Sequence, residues 1–174
     1  MERRTWLHLA LSVGVAAGVA GCGGGARYAN GWVDDGDTRY AVGDPGTGWS
    51  RVDFDRQNDL AWSNGNGGLI QVNANCAPDL DIPLEALTNH LLIGFTEREA
   101  LGAQKEPFAG REALRTRVRA KLDGVPRDLE LVVTKKDGCV YDFALVTPVG
   151  DAFAQSQPGF ARVLAGFRTD TDGR

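Results

Sequence analysis

The stretch REALRTRVRAKLDGVPRDLELVVTKKDGCVYDFALV, residues 111–146, decides the fold. From Ala113 onward its side chains alternate, with Leu114, Thr116, Val118, Ala120 and Leu122 on one side and Ala113, Arg115, Arg117, Arg119 and Lys121 on the other. A period of two is the mark of a half-buried β-strand. The chain turns at Asp123-Gly124-Val125-Pro126. In the partner segment Asp128–Lys135, Leu129, Leu131 and Val133 alternate with Asp128, Glu130, Val132 and Thr134. Asp137-Gly138 is a two-residue hairpin signal, because both residue types tolerate the positive φ of a type I′ turn. A third strand follows over Cys139–Val146 with Tyr141, Phe143 and Leu145 inward, and Pro148 ends it.

The charged side of the first strand is the most concentrated charge pattern in the chain. Arg115, Arg117, Arg119 and Lys121 would repel one another along the strand, and cross-strand Asp128 and Glu130 would offset that by a few tenths of a kcal/mol per pair. A solvated, self-paired ladder is one reading of this face. A candidate interaction face is the other.

Working upstream, the period changes to that of a helix. Asp81 can cap, Pro83 suits a first turn, and Leu84, Leu87, Leu91 and Phe95 recur at helical spacing, which predicts an amphipathic helix of about 13 residues. His90 falls on its far side, so an exposed histidine is expected rather than a ligand or a base. Before the helix, Arg39–Val42, Arg51–Phe54, Asp59–Trp62 and Leu69–Asn75 read as strands separated by glycine-rich turns at 43–48 and 64–68. Downstream, Ser156 can cap a last helix carrying Phe160, Val163, Leu164 and Phe167 on one stripe. Strands broken by one central and one terminal helix predict an α+β domain: an antiparallel sheet covered by those two helices.

The N-terminus carries an address. Glu2, Arg3 and Arg4 precede an apolar run from Trp6 to Ala20, the order of a secretory signal, and the run stops short of the ~20 apolar residues that span a bilayer. Val19-Ala20-Gly21-Cys22 resembles the lipobox of bacterial lipoproteins, which implies cleavage before Cys22 and acyl chains on its sulfur. Those chains would be the membrane partner, since two or more hold a protein firmly where one does not. An ordinary signal peptide that happens to precede a cysteine is the alternative. The expected organisation is a signal peptide over 1–21, a flexible tether over 22–38 and a single domain over 39–170. Gly23, where many lipoproteins kept at the inner membrane have aspartate, favours the outer membrane by the same resemblance.

Removing 21 of the 174 residues leaves 153, the size of one domain, and takes away two basic residues and one acidic, leaving 17 against 22 and a formal charge of −5. An acidic domain offers no electrostatic footprint for nucleic acid. With Cys22 assigned to lipid, Cys76 and Cys139 remain, and outside the cytoplasm they are expected to pair; two separate buried thiols are the other reading. Neither sits in a CxxC motif, so redox and zinc roles are not expected. Asp34, Asp35 and Asp37 lack the glutamate that a calcium loop of the EF-hand type requires, and a solvated acidic turn accounts for them.

The order of elements resembles the PsbP/Mog1-like family. The resemblance is carried by Gly46-Thr47-Gly48-Trp49, by Gly110-Arg111-Glu112-Ala113, by Gly138-Cys139-Val140-Tyr141-Asp142-Phe143, and by Phe160-Ala161-Arg162-Val163-Leu164-Ala165-Gly166-Phe167. It implies an α/β/α sandwich and a binding or assembly subunit with no shared catalytic set.

No GxSxG elbow is present and His90 is the only histidine after residue 21, so the expectation is a non-enzymatic envelope lipoprotein with no cofactor and an envelope protein as partner. Two other classes stay open. One is a small-ligand binder with a pocket between sheet and central helix lined by Trp49, Trp62 and Tyr141, and the other is a hydrolase or metal-dependent enzyme.

Overall fold

Asp-Gly and related pairs set the frame of the chain. The computed structural model describes residues 26–53 and 58–171. Within them Ala109-Gly110, Asp123-Gly124 and Asp137-Gly138 all have positive φ at both positions, the type I′ geometry whose twist matches that of the flanking strands. These turns join β7 (Phe95–Phe108), β8 (Arg111–Leu122), β9 (Val125–Lys136) and β10 (Cys139–Pro148) into a continuous antiparallel meander. On the far side of β10 lies β6 (Leu69–Asn75), followed by β5 (Leu60–Asn64) and β4 (Trp49–Val52), so the sheet runs β4-β5-β6-β10-β9-β8-β7.

The expected architecture, one antiparallel sheet covered by a central and a C-terminal helix, does not hold. Among the described residues there are eleven strands in two sheets and only two α-helices. The second sheet has the order β1-β2-β3-β11, formed by β1 (Arg27–Ala29), β2 (Trp32–Asp34), β3 (Arg39–Ala41) and β11 (Arg168–Thr169). Its first two strands occupy the stretch read as a flexible tether. Asn30 and Gly31, at φ 53° and 79°, make another I′ turn there, and Val33 is fully buried. The aspartates of the following turn bind backbone: Asp34 Oδ1 accepts from Gly36 N, and Asp35 Oδ1 from Asp37 N and Thr38 N.

The central helix is also shorter than its spacing suggested. Helix α1 (Leu84–Leu91) has eight residues, Leu92 caps it, Gly94 at φ 91° breaks it, and Phe95 already belongs to β7. His90 is exposed on it, as expected. Helix α2 (Asp151–Ala165) begins five residues before Ser156, which is buried inside the helix and accepts a hydrogen bond from Asn64 Nδ2 at 3.0 Å.

The large sheet has two buried faces. Leu114, Val118, Leu129, Leu131, Val133 and Ala144 meet Leu84, Leu87 and Leu92 from the α1 region. On the opposite face Ile70, Val72, Tyr141, Phe143 and Leu145 meet Phe153, Phe160 and Val163 of α2. Phe167 joins the two sheets: its ring centroid lies 6.4 Å from that of Tyr40 in β3, 4.9 Å from that of Tyr141 and 5.4 Å from that of Phe108, stacked within 4° on the last. Where the small sheet closes on the end of α2 only glycine fits, since Gly43 N donates to Val163 O at 3.0 Å and a Cβ on Gly43 would sit 1.9 Å from Arg162 O. The Cys76–Cys139 disulfide is present, just past the point where Asn75 pairs with Val140 at the end of the β6–β10 ladder.

Candidate functional site

The basic ladder is real and lies where alternation put it, and its cations are engaged within the chain. Arg117 stands opposite Glu130 and Arg119 opposite Asp128 in the β8–β9 register. Arg119 holds Asp128 with Nε–Oδ1 at 2.8 Å and Nη2–Oδ2 at 3.2 Å. Lys121 reaches Glu97 at 2.7 Å. The Arg117 guanidinium sits 4.1 Å above the Phe153 ring of α2, a cation–π contact. Arg115 is clamped between two carboxylates, donating through Nε and Nη2 to Glu106 Oε1 at 2.9 and 2.8 Å and through Nη1 to Glu130. This guanidinium holds the Glu106 carboxyl below its ordinary range. Glu130 itself is 2% exposed and receives a further bond from Gln157 of α2.

Arg115 and Glu130 form the polar end of a cleft about 630 Å³ in volume. Its other walls are apolar: Pro107 and Phe108 from β7 on one side, Pro158, Ala161 and Leu164 from α2 on the other. Position 158 lacks an N–H, and Ala154, Ala161 and Ala165 carry minimal side chains, so this side of α2 leaves space over the sheet instead of filling it. The cleft therefore opens beside the terminal helix. The residues expected to line a pocket against the central helix, Trp49, Trp62 and Tyr141, lie on the α2 side of the sheet instead, where Trp62 and Tyr141 belong to the buried core and Trp49 packs against it.

A second polar cluster was not anticipated. Tyr40 Oη donates to Asp59 Oδ2 at 2.8 Å, Ala74 N donates to the same oxygen at 2.8 Å, and Asn73 links the group by donating to Asp142 Oδ1 at 2.8 Å and accepting from Asp59 N at 3.3 Å. Burial, reinforced by the charge of Asp59, pushes the Asp142 carboxyl up to about 6, while the Asn73 amide opposes the shift; burial also raises Asp59. An aspartate between Tyr141 and Phe143 is the sequence signal that could have pointed here, since aspartate is depleted in strands.

A stability dependence follows with a definite sign. From about pH 4 to 6 folded Asp142 keeps a proton that the unfolded chain gives up, so its contribution is present at low pH and is lost as pH rises through about 6. Asp142→Asn, which carries no charge to desolvate, is expected to be more stable than the parent at pH 7.5, by up to about 3 kcal/mol, and equal to it near pH 4. Urea unfolding at the two pH values reads this directly; an advantage of the variant that is the same at both would remove the proton from the account.

No protein-family model matches the chain, and no curated protein matches it. Solved structures do match. The solution structure of cyanobacterial PsbP (CyanoP) from Synechocystis sp. PCC 6803 superposes with a TM-score of 0.52, covering 90% of this chain and 98% of that one at 18% identity. The fold is similar to that of PsbP. LpqN, described as involved in cell envelope biogenesis of Mycobacterium tuberculosis, gives a TM-score of 0.52 over 75% of this chain and 82% of its own at 11% identity. A Bacteroides thetaiotaomicron protein gives 0.54 at 12% identity over 78% of this chain; the match spans 46% of that longer chain. The PsbP-like likeness is one of fold, and at these identities it assigns no role to any residue.

Cys22 lies outside the described residues, and no described helix is long and apolar enough to cross a membrane.

Proposed function

We propose that the chain is an extracytoplasmic lipoprotein, held to the cell envelope by acyl chains on Cys22, that acts as a non-catalytic binding or accessory subunit. The observation that carries the reading is the cleft beside α2. Its ionisable groups are tied to one another, Arg115 to Glu106 and Glu130, and what faces the opening is an apolar wall suited to contact. The compartment is supported by the disulfide, which persists in oxidising surroundings. It is supported too by the fold shared with LpqN, a protein described as acting in envelope biogenesis.

The test is isolation of the lipidated protein from mildly crosslinked membranes, with mass spectrometry of what accompanies it. Cys22→Ser serves as the unanchored control and Ala161→Trp as a version with the cleft obstructed. An envelope protein recovered in stoichiometric amount with the parent and lost with Ala161→Trp is the expected result. Recovery of the folded parent alone would sink the accessory-subunit reading. A cleft of this volume also suits a small ligand; in that case a compound would raise the melting temperature of the parent and leave that of Ala161→Trp unchanged.

A further inference from the structure

The small sheet presents an outward face unlike the rest of this acidic protein. At its centre is Trp32, with the guanidinium of Arg39 4.9 Å from the ring centroid and that of Arg168 also at 4.9 Å. Trp32 pairs with Ala41 and Ala41 with Arg168, so the aromatic ring and Arg168 share this face. In the next row Arg27, Asp34 and Arg39 stand side by side across β1, β2 and β3. Tyr28 pairs with the buried Val33 and so lies on the other side of β1, where the Arg51 guanidinium stands 4.5 Å from its ring centroid. Arg27, Arg39 and Arg168 are all exposed, and none of them makes an ion pair with a described residue. This is the reverse of the β8 ladder, where the cations are spent inside the fold. Arg27, Arg39 and Arg168 outnumber the carboxylates of this face, Asp34 and Asp170, and leave it with positive charge on a chain whose net charge is negative.

Chain geometry says what this face meets if Cys22 carries lipid. Five residue steps separate Cys22 from Arg27, the first residue of β1, and an extended chain reaches at most ~3.6 Å per residue, so β1 stays within roughly 18 Å of its anchor point. That is about the depth of a headgroup layer plus a screening length of 8–10 Å. A tryptophan flanked by arginines is a combination that settles at a membrane–water interface, the ring at headgroup level and the guanidiniums on phosphate. Screening makes this local charge count for more than the distant carboxylates.

We infer that the outer face of the small sheet, centred on Trp32 with Arg27, Arg39 and Arg168, docks on anionic phospholipid headgroups of the membrane that holds the anchor. This fixes the orientation of the domain. It rests on the lipoprotein reading above, and the test separates the two. The lipidated protein is reconstituted into vesicles of phosphatidylcholine alone or with phosphatidylglycerol, and two properties are read: flotation with the vesicles, and acrylamide quenching of Trp32, isolated by subtraction of a Trp32→Phe version. Flotation reports the acyl anchor and is expected on both vesicle types, with or without Arg39→Glu/Arg168→Glu. Quenching of Trp32 is expected to fall roughly twofold on the anionic vesicles, and to return to its micelle value when the two arginines are reversed, since each arginine contributes attraction only near an anionic surface. Flotation with Trp32 quenched equally on anionic vesicles and in micelles would overturn the docking face and leave the anchor standing. Failure to float, with an unmodified mass for Cys22, would overturn the anchor and the docking face with it.

Discussion

Replacing both Cys76 and Cys139 with serine is expected to lower the unfolding free energy by about 4 kcal/mol, the chain-entropy value for a closed loop of this length. The cysteines are 63 positions apart. The loop between them contains α1 and the strands β7, β8 and β9, so in the oxidised unfolded chain nearly the whole meander is tied to the β6 end. A domain of this kind is stable by about 5–15 kcal/mol, so the bond supplies a large share of the total. Urea unfolding of the double variant against the oxidised parent measures the effect, and parent protein unfolded with reductant present should coincide with the variant. A difference under about 1 kcal/mol would show that the oxidised unfolded state gains little from the constraint.

The second large effect is expected at Arg115. Its guanidinium is the ionic partner of Glu130, whose side chain is 2% exposed, and Gln157 alone does not replace a charge. Arg115→Met leaves that carboxylate buried without its direct ion-pair partner, which costs about 3–5 kcal/mol. Adding Glu130→Leu removes the stranded charge, and the double variant is expected to recover most of the loss, since an apolar pair of similar volume is commonly as stable as a buried ion pair. Thermal and urea unfolding of the two single variants and the double variant form the required cycle. If Arg115→Met alone unfolds within about 1 kcal/mol of the parent, water or Arg117 opposite Glu130 already satisfies the carboxylate.

What the sequence made legible and what it hid have distinct physical causes. The β8, β9 and β10 strands could be read because Asp123-Gly124 and Asp137-Gly138 require their turn type and because one face of each strand is buried, which enforces alternation. The pairing of Cys76 with Cys139 could be read because, with Cys22 assigned to lipid, two cysteines remain in a compartment that permits a disulfide. By contrast β7 went unread: it is an edge strand, nearly all its residues are exposed, and register shifts at Thr96/Glu99 and Ala100/Gly102 disturb its period, so no buried face imposes a pattern. The opening hairpin was hidden by its brevity, two three-residue strands around Asn30-Gly31 whose composition matches that of a linker. Phe95 misled in the other direction, because a strand residue happened to stand at helical distance from Leu91. Of the cleft, Arg115 and its partner Glu130 were visible as charges on facing strands. The apolar wall was not, because it depends on how α2 crosses the sheet.

The small sheet is completed by residues from opposite ends of the chain. Arg168 and Thr169 pair with Ala41 and Tyr40, and Phe167 just before them fills the space between Tyr141 and Phe108. Such a contact has a high contact order and carries a loop-closure cost that the meander, with turns of only two residues each, does not. Until the final residues of β11 arrive, β3 has an open edge and the aromatic centre lacks its joining ring, so a chain cut short before residue 167 would lose cooperative closure of both sheets, not merely a tail.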